Sequence, residues 1–122
     1  MNRHKVSEIQ KNIIEALGKK LIHGPFVQYI NPSNQHESNN YLTELSSKWY
    51  RNYFYLISHY QSDNPNAISP SFEVRYTRIQ CTGEATYSLS YMRHNGQWNE
   101  VYTNLSVSKL ERTIISETLF HP

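Results

Sequence analysis

A chain of 122 residues with a formal charge of +2 has room for one modest hydrophobic core and not for two. Hydrophobic residues make up 38% and aromatic ones 13%, ten of them tyrosine, which excludes a highly charged disordered tail and points to one folded, soluble domain over residues 1–122. A pI of about 8.7, with Lys and Arg scattered, is below the level of a strongly basic nucleic-acid footprint, and no apolar run approaches the length of a membrane span.

The first residues, MNRHKVSEIQ, contain no apolar signal-peptide core, and the lone Cys81 has no partner for a disulfide or a C-x-x-C zinc site. A cytoplasmic location is the resulting expectation. Ser7-Glu8-Ile9-Gln10 reads as a capping box, Ser7 accepting from the N3 amide and Gln10 reaching back. Val6, Ile9, Ile13, Leu17 and Leu21 follow at helical spacing with Ile14 widening the stripe, and Gly24-Pro25 ends it, so a helix is expected from Glu8 to Ile22. Phe26 to Ile30 reads as a short strand or an extended connection, and Asn31 to Asn40 as a polar surface loop.

The segment Tyr41–Tyr60 is apolar on all sides. Leu42, Leu45, Trp49 and Tyr53 fit a helix, while Tyr53 to Ile57 is a dense cluster of β-formers. The expectation is a helix over Asn40–Tyr50 and a strand over Tyr53–Tyr60, with one long helix as the alternative. Asp63 to Pro70 reads as a loop. Three half-buried strands then alternate around Phe72-Val74-Tyr76, Tyr87-Leu89-Tyr91 and Trp98-Tyr102, with Thr82-Gly83 as the first turn. Ser106 caps a closing helix carrying Val107, Leu110 and Ile114, and Phe120 is placed to pack back as an anchor. The fold class expected is α+β: an antiparallel sheet of three to four strands with N- and C-terminal helices on one face, covering Phe72, Val74, Tyr76, Leu89, Tyr91 and Tyr102.

Asn95-Gly96 signals a two-residue type I′ hairpin. In that register Arg93 faces Trp98, Tyr91 faces Glu100 and Leu89 faces Tyr102, all on the buried side, and Arg93 lies over the Trp98 ring. The opposite face, with Thr86, Ser88, Ser90, Asn99, Glu73 and Arg75, is expected to be polar and wetted.

From about Phe72 to Phe120 the chain resembles a bacterial family known as a domain of unknown function, through FEVRY, then YSLSYMRHNGQW with its hydrophobic–Arg–turn–Trp spacing, then a Tyr and an amphipathic helix ending near a Phe. In that family a His follows the Trp, where Asn99 stands here. The resemblance implies no activity and no catalytic residue.

None of the six histidines pairs at metal-ligand spacing, and HESNN from His36 has Asn40 where a zinc-protease helix needs its second His. No nucleophile elbow, Gly-rich phosphate loop or cofactor motif occurs. Asp63 with Glu73-Val74-Arg75 only faintly resembles a nuclease set. The first functional expectation is a non-catalytic protein-interaction module using the polar sheet face or an edge strand. The alternative is RNA or single-stranded DNA binding through the Arg/Tyr-bearing sheet, for which exposed rings beside Arg75 and Arg78 are the discriminating feature. An enzyme centred on Arg93, His94 and Glu100 is the third. The candidate binding residues are Arg75, Arg78, Arg93 and Trp98, with no metal or cofactor ligand among them.

Overall fold

The structure, a computed structural model, describes residues 5–30, 40–62 and 70–122. Most of the expected loops over 31–40 and 63–70, with His36 and Asp63, lie outside the described residues. Helix α1 spans Glu8–His23, and the Ser7 hydroxyl accepts from the Gln10 amide at 3.1 Å. The Gln10 side chain does not close the capping box. It is buried and donates to the carbonyls of Gly83 and Glu84 at 2.7 and 2.8 Å, tying the helix start to a distant turn.

The buried face of α1 is rotated from the expected stripe. Ile14, Leu17, Leu21 and Ile22 enter the core, while Ile9 is 73% exposed and Ile13 41%. Spacings of three and four admit both rows, and Gly18 selects between them. A Cβ there would meet the Phe54 ring at 2.9 Å, so only glycine lets the helix lie this close to the sheet. Pro25–Tyr29 forms a 3₁₀ turn rather than a strand, and it buries Phe26.

Five strands follow, β1 Asn40–Tyr50, β2 Tyr53–Ser62, β3 Ser71–Cys81, β4 Tyr87–Met92 and β5 Trp98–Leu105. They pair antiparallel in sequence order. The helix expected over Asn40–Tyr50 is therefore a strand, joined to β2 by Arg51-Asn52 with Arg51 at φ 58. The helical spacing of Leu42 and Leu45 has a different cause. Thr43 is an extra residue between the pairs Leu42–Tyr60 and Glu44–His59, so two leucines three apart share one face. Strand β1 accounts for the fifth strand beyond the three or four expected.

Helix α2, Val107–Ser116, is capped by Ser106, which accepts from the Lys109 amide at 3.3 Å. It packs beside α1 on the same face of the sheet, with Lys20 and Glu111 paired across the two helices at 2.9 Å. One core holds Leu17 and Leu21 from α1, Phe54, Leu56, Ile79 and Leu89 from the sheet, and Leu110 and Ile114 from α2. Phe120 is fully buried in the closing turn Thr118–Phe120, as the anchor reading expects. The expected burial of Phe72 and Val74 fails: they are 42% and 36% exposed, because the first half of β3 runs out beyond the helices.

Candidate functional site

The face of the sheet away from the helices carries the candidate site. Its side chains follow from register. In β2, Phe54 and Leu56 point to the helices, so Tyr53, Tyr55 and Ile57 point away. In β3, Tyr76 has no partner between the pairs Leu56–Thr77 and Ile57–Arg75. This bulge turns both Tyr76 and Thr77 inward, Tyr76 against the Phe26 ring and Thr77 donating to the Phe120 carbonyl at 2.8 Å. Arg75 and Arg78, three apart, are thereby brought to the same outer face.

The β4–β5 hairpin differs from the expected two-residue turn. Arg93 N donates to Gln97 O at 2.8 Å and Gly96 N to Arg93 O at 2.9 Å, so His94, Asn95 and Gly96 form a three-residue loop with positive φ at Gly96 alone. Met92, not Arg93, pairs with Trp98, and Ser90, not Tyr91, pairs with Glu100. The expected Arg93–Trp98 contact does not form. Trp98 and Glu100 move to the outer face, while Leu89–Tyr102 keeps the expected pairing, reached through an extra residue at Val101.

Four rings and three arginines interleave on this face. The Arg78 guanidinium lies 4.3 Å from the Tyr53 ring centroid and 4.9 Å from that of Trp98. Arg75 lies 4.8 Å from Tyr55 and 5.7 Å from Tyr50, and Arg51 lies 5.3 Å from Tyr50. Tyr55 and Trp98 touch each other at 5.6 Å. Tyr50 is 48% exposed, Tyr53, Trp98, Arg75 and Arg78 are half-buried, and Tyr55 is buried beneath its neighbours. None of the three arginines forms an ion pair with a carboxylate among the described residues. The expected wetted serines are not bare. Ser88 and Ser90 are buried, because small residues beside Gln80, Arg78 and Glu100 are shadowed by longer chains. Farther along the face His59 Nε2 meets Ser46 Oγ at 2.7 Å and its Nδ1 lies 3.8 Å from Glu73.

Of the candidate residues, Arg75, Arg78 and Trp98 come together here and Arg93 does not. Arg93 stands at the hairpin tip, beside a cleft of about 620 Å³ whose walls include Arg75, Tyr76, Arg93, His94 and Leu119 but not Glu100. The triad of Arg93, His94 and Glu100 is therefore not gathered in one pocket. Cys81 is buried, and burial pushes its thiol up to about 11. No group of three metal-ligating side chains occurs among the described residues, and no described helix is long and apolar enough to cross a membrane.

Spacing alone does not tell which way Tyr50, Tyr53 and Tyr55 face. The signal that separates them is chemical: the residues facing the helices from β2 are Phe54 and Leu56, while the phenols, each with a polar end, alternate with them.

No curated protein and no solved structure matches the chain. A protein family does, over residues 6–116, nearly the whole length and not only the half from Phe72 onward that carries the visible motifs. The chain belongs to that family, DUF3024, described as a domain of unknown function.

Proposed function

We propose that the domain binds single-stranded nucleic acid, RNA or single-stranded DNA, on the outer face of its sheet. The observation that carries this reading is the interleaving of Arg51, Arg75 and Arg78 with the rings of Tyr50, Tyr53, Tyr55 and Trp98 on a face that neither helix covers. Single-strand binders need cations that track the backbone and flat groups on which bases stack, and an arginine lying on a ring supplies both. Protein interfaces also favour Arg, Tyr and Trp. What favours nucleic acid is that these three cations have no carboxylate partner among the described residues, so their charge is available to phosphates.

The test is a titration of a fluorescent single-stranded oligouridylate at low salt and at about fourfold higher salt. Three neutralised phosphates give a log–log slope of about −2, so affinity falls roughly 20-fold between the two conditions. Arg75→Ala and Arg78→Ala each weaken binding and reduce the slope by about 0.7. Binding that is absent at low salt, or that ignores both substitutions, refutes the proposal.

A further inference from the structure

Strand β3 is paired on both sides only from Thr77 to Cys81; from Ser71 to Arg75 it has β2 on one side and, among the described residues, no strand on the other. A cleft of about 620 Å³ opens where the pairing with β4 stops. Its walls are Glu73, Val74 and Arg75 of β3, Arg93 and His94 of the hairpin tip, and Leu119. This notch lays the edge of β3 open.

The direction of the main-chain groups on that edge follows from one bond. Ser62 N donates to Pro70 O at 2.8 Å, so these two residues form a hydrogen-bonded pair of the β2–β3 ladder. Such pairs alternate along an antiparallel ladder with pairs that exchange no bonds. Tyr60–Phe72 and Ser58–Val74 are therefore bonded pairs, and His59–Glu73 and Ile57–Arg75 are not. The N–H and C=O of Glu73 and Arg75 aim away from β2 and into the notch, where they meet no main-chain partner among the described residues. Each of the two residues thus offers one donor and one acceptor to a further strand. The outer edges of the sheet are poorer templates, because β1 and β5 each carry an extra residue, Thr43 and Val101. The register from Ser71 to Arg75 is unbroken.

The side chains along this edge alternate in chemistry. Phe72 and Val74, on the helix side of the sheet, are 42% and 36% exposed, and Leu119 beside Val74 in the notch is 47% exposed. Glu73, between them in sequence, is on the opposite side, and its ion-pair partner among the described residues is His59 at 3.8 Å. An incoming strand therefore meets apolar surface on one face and a carboxylate on the other.

The geometry points to a β-augmentation site: the notch takes an extended peptide of another protein, paired antiparallel to Ser71–Arg75, with a lysine or arginine opposite Glu73 and an apolar residue on each side of it. The main chain supplies the affinity and the charge at Glu73 supplies the register. A second copy of this chain does not fit these terms. Strand β3 paired with itself about Glu73 sets two carboxylates directly opposite one another, which is destabilising.

The experiment titrates the protein with a blocked, fluorescent peptide of sequence TVKVT. Saturable binding is expected, weakened roughly tenfold for TVEVT. Glu73→Lys reverses that order while the fold, read by urea unfolding, is kept. Two N-methylated peptides test the main chain. N-methylation of the central lysine removes the N–H that meets the Glu73 carbonyl and costs roughly tenfold or more, whereas N-methylation of the valine after it blocks an N–H that points away from β3 and leaves binding as before. Absence of binding at millimolar peptide overturns the proposal, as does equal loss with both N-methylated peptides or an order of TVKVT and TVEVT that ignores Glu73→Lys. Sedimentation of the protein alone is run alongside. A dimer that excludes the peptide assigns the edge to a second copy, and the proposal is then wrong.

Discussion

Arg78 and Trp98 provide the sharpest check on the sheet's register. The guanidinium lies 4.9 Å from the indole centroid, inside the range of about 6 Å for a cation–π contact, and both side chains are half-buried. Such a pair lies between the exposed and the desolvated cases, so its coupling energy is about 1 kcal/mol. Arg78→Ala alone loses more, about 1–3 kcal/mol, because the same guanidinium also sits 4.3 Å from the Tyr53 ring and its stem covers apolar surface. A double-mutant cycle of Arg78→Ala and Trp98→Ala, read by urea unfolding, separates the pair from these other losses. The control is the cycle of Arg93→Ala with Trp98→Ala, expected to be additive within about 0.3–0.5 kcal/mol because Met92 pairs with Trp98 and Arg93 closes the hairpin instead. If Arg93 couples to Trp98 and Arg78 does not, the hairpin has a two-residue turn. Trp98 then belongs to the buried side, and the ring–arginine row loses its central member.

Three further outcomes follow from the packing. Gly18→Ala gains about 1 kcal/mol of helix propensity but drives a methyl to 2.9 Å from the buried Phe54 ring, an overpacking that costs about 1–3 kcal/mol, so thermal unfolding shifts downward, opposite to the usual effect of this substitution. Tyr76→Phe deletes a buried hydroxyl without a partner and keeps the ring against Phe26, so the unliganded protein gains about 1–2 kcal/mol in urea unfolding; a loss instead means that the hydroxyl is bonded. Burial pushes the Cys81 thiol from 9.0 up to about 11, so the folded state keeps a proton that the unfolded chain releases. The contribution is complete below pH 9 and is lost as pH rises toward 11, and Cys81→Ala gives a shallower fall over that window; equal slopes refute it.

The elements that were legible in the sequence are those whose local chemistry admits one answer. Ser7 and Ser106 cap where a side-chain oxygen precedes an amphipathic run, and both helices begin there. Strands β3, β4 and β5 lie where the sequence places them, and Phe120 is buried as a terminal anchor. The misreadings within β1 and β3 share one cause. Each bulge shifts a periodicity of two by one residue. Thr43 makes Leu42 and Leu45 imitate a helix, Tyr76 reverses the phase of β3, and Val101 restores Leu89–Tyr102 after a loop one residue longer than expected. Spacing does not reveal an unpaired residue, because the bulge is settled by what the neighbouring strand and the helices offer on each side. The outer face was hidden for a related reason: a two-residue turn places Trp98 on the buried side and a helix takes in Tyr50, whereas the loop has three residues and Tyr50 ends a strand.

Arg75 and Arg78 would lie on opposite faces of an unbroken strand, because they are separated by an odd number of residues. Tyr76, the residue without a partner in β2, brings them to one side, where they lie over Tyr55, Tyr53 and Trp98. The same residue marks where pairing with β4 stops, so the cationic row and the notch beside it have a single structural origin. The bulge is held from the helix side. Thr77 Oγ1 donates to the Phe120 carbonyl, and the Phe120 ring lies against Tyr91 and Tyr102, while Tyr76 rests on Phe26. The inner core thus maintains a distortion whose consequences appear on the other face. A change that straightened β3 at Tyr76 would part Arg75 from Arg78 and close the notch in the same step, while leaving the pair Phe54–Ile79 in register. The arginine–ring row and the notch therefore depend on one inserted residue.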